Sequence, residues 1–390
     1  MNRELNKIAL TIPPSGIRKF FDVVTTMKDA ISLGVGEPDF DTPWHIREEG
    51  IYSIEKGKTF YTSNAGLLEL REAICDYLDR RFELKYDFNE ECIVTVGGSE
   101  GIDLALRAIT NPGDEILIPE PSFVCYKPCA ALAGGIPVPI PLKAENEFRL
   151  TREEVEEHLT DKTKAIIISF PTNPTGAFMT KEDLQPIADL AIEKDLIVIS
   201  DEIYAELTYE GVHVSIASLE GMKERTIIVS GFSKAYAMTG WRIGYATGPE
   251  NIIGVMKLIH QYAIMCSPTT SQYAALEAAK NGDEDIAEMK AAYNNRRRFM
   301  VDSFNRIGLT CFEPKGAFYI FPSIKSTNLT SEEFATQLLL QEQVAVVPGT
   351  AFGESGEGFV RCSYAYSIDD LKMAVERIEK FVLSLENKKD

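Results

Sequence analysis

Between residues 92 and 247 the chain repeats one pattern: a short apolar run, then a polar or helical stretch, then another apolar run. The runs fall at 93–96, 115–118, 136–140, 165–170, 196–200, 226–229 and 242–246. Several are unbroken, as in Ala165-Ile-Ile-Ile168, Leu196-Ile-Val-Ile199 and Thr226-Ile-Ile-Val229. A strand puts successive side chains on opposite faces, so an unbroken run requires cover on both sides. Helical spacing at 102–109, 181–194 and 251–262 supplies that cover. The pattern predicts an α/β fold with a mostly parallel seven-stranded sheet between helices.

The flanks read differently. Residues 44–56 and 67–82 have helical spacing, the second with Leu70, Ile74, Tyr77 and Leu78 on one face. A helix is expected over 17–27. Leu33-Gly-Val-Gly-Glu-Pro-Asp-Phe-Asp-Thr-Pro43 is an irregular crossing segment. Beyond residue 285 a long polar-faced helix over 285–308 carries Arg296, Arg297 and Arg298. Short strands are expected at 318–321, 344–347 and 359–363, and helices at 331–341 and 367–385. This division predicts a large domain at 46–285. A smaller α+β domain combines both chain ends, 1–45 and 286–390.

Charge and cysteine content exclude several classes of function. A formal net charge of −19 argues against a nucleic-acid partner, whose phosphates need a basic face. No apolar run reaches membrane-spanning length, and the first residues have no apolar signal core. The four histidines are scattered, so no metal site is expected. Seven cysteines, an odd number without C-x-x-C spacing, fit reduced thiols in a cytoplasmic protein.

Four segments carry chemistry. Val96-Gly-Gly-Ser-Glu-Gly101 leads from a strand into a helix, as a phosphate cradle or a plain tight turn does. It fits neither the dinucleotide fingerprint nor the P-loop, which argues against a nicotinamide-dependent dehydrogenase. Asn173 lies between prolines after a buried strand, at the edge where α/β sheets bind ligands or in a structural Asn-Pro turn. Asp201 ends an apolar run and either meets a cation or caps a helix; Tyr204 follows three residues later. In Ser230-Gly-Phe-Ser-Lys-Ala-Tyr-Ala-Met-Thr-Gly-Trp-Arg242, Lys234 supplies a potential nucleophile and Arg242 a permanent cation. Alone, a lysine after a strand is in most chains a solvated end.

Ser200-Asp-Glu-Ile-Tyr204, Asn173-Pro-Thr-Gly176, Ser233-Lys-Ala-Tyr-Ala-Met-Thr-Gly-Trp-Arg242 and Val360-Arg-Cys-Ser363 occur together in one order. In this they resemble, over nearly the whole chain, the fold-type I aminotransferases of class I and II, which depend on pyridoxal 5'-phosphate (PLP). The resemblance implies transfer of an amino group between an L-amino acid and a 2-oxo acid such as 2-oxoglutarate. Lys234 would link covalently to PLP and move the α-proton. Asp201 would keep the pyridine nitrogen protonated. Tyr204 and Asn173 would bond the ring's phenolic oxygen, and Phe123 would stack on the ring. Arg242, with the turn amides of Ser99 and Glu100, would hold the phosphate. Arg361 would fork onto the substrate α-carboxylate, and Gly36 would let the chain pass close to the substrate. The resemblance further implies a homodimer in which Tyr61 reaches the neighbouring site's phosphate.

Two positions depart from the family pattern. Gly231 stands where many relatives have a phosphate-binding serine, and Ser233 or, after it, Ser230 is the expected substitute. The segment 260–267 lacks the arginine with which animal-type aspartate enzymes meet a second carboxylate. Ser15-Gly-Ile-Arg-Lys-Phe20 is similar to the bacterial aromatic and N-acetyl-diaminopimelate aminotransferase subgroup. Ile17, Phe20, Tyr126 and Tyr262 are then candidates for the substrate side-chain pocket. The expected donors are aromatic, N-acetyl-diaminopimelate or aspartate-like. A carbon–sulfur β-lyase on the same scaffold is the alternative. A non-enzymatic PLP-binding regulator is the alternative of another class; such regulators carry an added DNA-binding domain.

Overall fold

The computed structural model describes residues 5–14, 16, 27 and 29–386. Ile17, Phe20 and most of the helix expected over 17–27 lie outside the described residues. All seven expected strands form, and together they make one sheet. They are β2 (Cys92–Thr95), β3 (Glu115–Glu120), β4 (Ile136–Pro141), β5 (Thr163–Ile168), β6 (Ile197–Asp201), β7 (Thr226–Gly231) and β8 (Gly244–Thr247). Their order is β2-β8-β7-β6-β5-β3-β4. Only β8 runs against its neighbours. Residues 232–243 contain no α-helix to carry the chain across the sheet, so the strand returns beside β7 in reverse.

The unbroken apolar runs are buried on both faces, as their pattern requires. Ile116, Ile167, Ile199 and Val229 pack with Leu104 and Ile253, from the helices Gly97–Ile109 and Glu250–Ala263. Their immediate neighbours Leu117, Ile166 and Val198 face the other way, against Leu184 and Ile187 of the helix Lys181–Glu193. Val94, Ile228 and Tyr245 meet the helices Leu68–Phe82 and Thr269–Asn281. The last helix was not among the expected elements. Its buried face is largely alanine (Ala274, Ala275, Ala278 and Ala279), which carries little periodic signal.

The remaining strands are short: β1 (Ile31–Ser32), β9 (Tyr319–Ile320), β10 (Val344–Ala345), β11 (Val347–Pro348) and β12 (Val360–Ser363). β1 pairs in parallel with β10, and β12 lies antiparallel between β11 and β9. The helices Asp283–Arg306, Ser331–Glu342 and Ile368–Glu386 complete this α+β part. Its core includes Phe304, Phe318, Phe334, Leu371 and Phe381, and also Leu33 from the N-terminal crossing segment.

Arg297 departs from the expected polar face of its helix, because its side chain is fully buried. The guanidinium escapes the cost of isolation through Glu210 at 2.8 Å, Glu313 at 3.1 Å and the Pro314 carbonyl at 2.8 Å. Among the described residues no helix is long and apolar enough to cross a membrane, and no group of three potential ligands could hold a metal ion. All seven cysteines are free thiols.

Candidate active site

The parallel strands β2, β3, β5, β6 and β7 end at one edge of the sheet, and β8 begins there. The motif residues follow those ends in turn: Ser99 after β2, Phe123 after β3, Asn173 after β5, and Ser233 and Lys234 after β7. Asp201 is the last residue of β6, and Arg242 precedes β8. A cavity of about 410 Å³ opens at this edge, within the usual range of small-molecule sites, roughly 300–1,000 Å³. Ser99, Phe123, Asn173, Asp201, Tyr204, Ser233, Lys234, Arg242, Arg361 and Gly36 all line it.

Lys234 donates from Nζ to the Gly36 carbonyl at 2.6 Å. Burial pushes its amine down to about 8, against the opposing charge of Glu37 and with help from Arg361 and Arg242. Asp201 is raised from the ordinary carboxylate value by burial. The Tyr126 hydroxyl, donating to Oδ2 at 2.7 Å, and the Ile203 amide, donating to Oδ1 at 3.1 Å, offset part of that rise. Tyr126 is therefore a support for Asp201 as well as a cavity wall, which its expected place in a side-chain pocket did not reveal. Tyr262 is 81% exposed and does not line the cavity.

Arg361, on β12, comes from the other end of the chain and is 2% exposed. It donates to Asn173 Oδ1 at 2.8 Å and to the Gly34 carbonyl at 2.5 Å. Its guanidinium carbon lies over the rings of Tyr319 at 4.5 Å and Phe352 at 4.7 Å. Its buried Nε has no partner. Tyr319 was not anticipated as a site residue, since it reads as one more aromatic in a short strand. Its hydroxyl is 2.8 Å from that of Tyr204, and a side chain on Gly36 would collide with it. Glu37 and Thr239 also line the cavity unanticipated, and the Thr239 hydroxyl donates to the Glu37 carboxylate at 2.6 Å.

The turn into the helix Gly97–Ile109 is built on close backbone approach. Gly97 has φ +75°, and a Cβ there would stand 2.6 Å from an Arg242 guanidinium nitrogen. Arg242 itself adopts φ 51° and donates to the Thr239 carbonyl at 2.9 Å. Gly98 and Ser99 face the cavity at the first turn of the helix, where backbone N–H groups lack intrahelical acceptors. Glu100, expected beside Ser99, is not among the residues that line the cavity. Its carboxylate accepts from the Val96 amide and from His260 Nδ1 at 2.9 Å.

Gly231 is no vacancy left by a missing serine. It pairs with Gly244 across β7 and β8, and a Cβ on it would lie 2.8 Å from the Gly244 Cα. Of the two neighbouring serines, Ser233 lines the cavity, whereas Ser230 donates to the Glu202 carbonyl at 3.2 Å. Tyr61 is 81% exposed and does not line the cavity.

The donor set fits a phosphorylated pyridine aldehyde. It offers an amine, a buried carboxylate, a guanidinium beside a helix N-terminus, and a second guanidinium with an unpartnered buried nitrogen.

The profile of the family described as aminotransferase class I and II matches residues 28–378. An aspartate aminotransferase of Pyrococcus abyssi is 50% identical over 372 residues, covering 95% of this chain and 96% of its own. Aromatic-amino-acid aminotransferase 2 of Thermococcus litoralis is 46% identical with the same coverage. The crystal structure of an aromatic aminotransferase from Pyrococcus horikoshii has a TM-score of 0.90 at 47% identity, covering 95% of this chain and 99% of that one. The chain belongs to the class I and II aminotransferases, enzymes that use pyridoxal phosphate to move an amino group between an amino acid and a 2-oxo acid.

Proposed function

We propose that this cavity is the transamination site and that its residues act as follows. The observation that carries the reading is one cavity holding an amine at about 8, the buried Asp201 carboxylate and the buried Arg361 guanidinium. Bound PLP supplies an electron sink that takes up the amino group in one half-reaction and returns it in the other.

Lys234 is neutral often enough near neutral pH to attack a carbonyl carbon and to hold the substrate α-proton. Asp201, bonded by Tyr126 and the Ile203 amide, stands ready to pair with a protonated ring nitrogen. Asn173 and Tyr204 supply polar atoms for the ring's phenolic oxygen, and Phe123 an apolar face. Arg242, Ser233 and the amides of Ser99 and Glu100 bind the phosphate. Arg361 takes the substrate α-carboxylate as a bidentate partner. Lys234→Ala tests the whole assignment. We expect loss of the bound-cofactor absorbance and of transamination, and a borohydride-reducible cofactor linkage in that variant would sink it.

The donor class we propose is aromatic, N-acetyl-diaminopimelate or aspartate-like amino acids, with 2-oxoglutarate as acceptor. The names of relatives support all three members. A donor panel against 2-oxoglutarate separates the three. We place the working form as a homodimer in which Tyr61 reaches the neighbouring phosphate. Support comes from a set of exposed large apolar side chains that includes Phe60, Tyr61, Trp44 and Tyr262. Sedimentation that finds only monomer would exclude it. We divide the chain at 46–285 for the large domain, with 1–45 and 286–390 forming the small one; the pairing of β1 with β10 supports that division. Unpaired, dispersed cysteines support a cytoplasmic setting.

A further inference from the structure

Tyr319 touches two functional groups that stand apart in the cavity. It lies on β9, opposite Ser363 of β12. Arg361 is two residues from Ser363, so both side chains emerge on the same face of this small sheet. The Tyr319 ring packs 4.5 Å from the Arg361 guanidinium carbon, while its hydroxyl lies 2.8 Å from the Tyr204 hydroxyl. The side chain is fully buried yet lines the cavity.

Proton count decides how the two hydroxyls work. Burial raises both phenols, so each keeps its single proton. Within the pair one hydroxyl donates and the other accepts. If Tyr204 donated to Tyr319, it would have no proton left for a ligand. If Tyr319 donates, the Tyr204 proton is free, and a hydroxyl that accepts one hydrogen bond becomes a stronger donor in the next.

We infer that Tyr319 is a positioning residue for both ends of the site. Its hydroxyl donates to Tyr204 and frees the Tyr204 proton for the cofactor's phenolic oxygen, while its ring face holds Arg361 for the substrate carboxylate. The inference rests on the roles of Tyr204 and Arg361 proposed above. The charged groups facing the tyrosine pair are Arg361, Asp201 and Lys234, with Glu37 acting on Lys234. Tyr319→Phe leaves all of them in place.

The test uses cofactor-loaded protein and two readouts: the pH midpoint of the bound-cofactor absorbance change and the affinity for an amino-acid substrate. Loss of the Tyr319 hydroxyl weakens the Tyr204 bond to the ionised phenolic oxygen. More charge then stays on that oxygen, and the adjoining linkage to Lys234 keeps its proton to higher pH. Tyr319→Phe therefore raises the midpoint by roughly half a unit to one unit, the effect of losing one such hydrogen bond. Amino-acid affinity stays within about twofold, because the ring remains. Tyr319→Leu also removes the ring and weakens amino-acid binding roughly 5- to 30-fold. Tyr319→Met serves for the ring deletion if the leucine variant does not fold.

A midpoint for Tyr319→Phe within about 0.2 unit of the parent overturns the inference. So does an equal loss of amino-acid affinity in the phenylalanine and leucine variants. Lys234→Ala, measured alongside, separates the two failures. If it keeps a reducible linkage, the site reading fails; if it loses the linkage and Tyr319→Phe is unmoved, only the Tyr319 assignment fails.

Discussion

Gly231→Ser restores the residue that many similar enzymes carry, and we predict that it damages this one. A Cβ at residue 231 would stand 2.8 Å from the Gly244 Cα and 3.1 Å from the Ile243 carbonyl oxygen. Gly244 has little room to move, because the Gly97–Gly98 peptide packs closely against it. A Cβ on Gly244 would itself meet that peptide at 2.7 and 2.8 Å. The serine must therefore part β7 from β8 and push the turn whose first residues line the cavity. Overpacking typically costs about 1–3 kcal/mol, and obstruction by backbone on both sides puts this case near 2–3 kcal/mol. For a folding unit of this size each kcal/mol lowers the melting temperature by roughly 2–4 °C, so a fall of roughly 4–12 °C is expected. Displacement of the turn should also weaken PLP binding by about tenfold, or about 1.4 kcal/mol. Thermal melting followed by circular dichroism, with and without PLP, and a fluorescence titration of the cofactor measure both effects. A variant that melts within about 1 °C of the parent and binds PLP more tightly would refute the stacking argument, since it would require open space at residue 231.

Other predictions concern charge and hydrogen bonding in the cavity. In cofactor-free protein, acylation of Lys234 should show a half-rate pH of about 8, where ordinary lysines are still protonated. Between about 8 and 10.5 the unfolded chain binds more protons at this residue than the folded one. The empty protein should therefore gain stability from Lys234 as pH rises through that window. A half-rate pH above 10 would show an ordinary solvated amine. Arg361→Lys loses the bonds to Asn173 and Gly34 and the packing of a flat guanidinium over the Tyr319 and Phe352 rings; amino-acid KM should rise roughly 30- to 100-fold with cofactor content unchanged. Unaltered KM would remove Arg361 from carboxylate binding. Tyr126→Phe takes a donor from a carboxylate that burial already raises, so the acid limit of cofactor retention should move up by roughly half a unit to one unit. An unmoved limit would leave Tyr126 with packing alone.

The sheet and much of the site were legible because the physics behind them is local. Ala165–Ile168 and Thr226–Val229 are apolar on both faces and so mark covered strands wherever they occur. The residues that follow such strands gather at one edge of a parallel sheet, which makes Asn173, Asp201 and Lys234 candidates; the resemblance of their motifs to the class I and II aminotransferases singled them out. The helix Thr269–Asn281 escaped because alanine buries little area and leaves a faint period. Tyr319, and the bond from Tyr126 to Asp201, escaped for another reason: nothing in their own segments distinguishes a hydroxyl aimed at a carboxylate or at another phenol from an ordinary core aromatic.

The amino-acid sequence by itself determined the strand runs, the helices of clear period, and the amine, carboxylate and guanidinium that follow the runs. It could do so because side-chain burial along one element depends on that element's own pattern. Tertiary structure decided which residues meet. The stacking of Gly97, Gly244 and Gly231 depends on the register of strands far apart in the chain. So do the bonds from Tyr126 to Asp201 and between Tyr319 and Tyr204, and the folded chain alone sets that register.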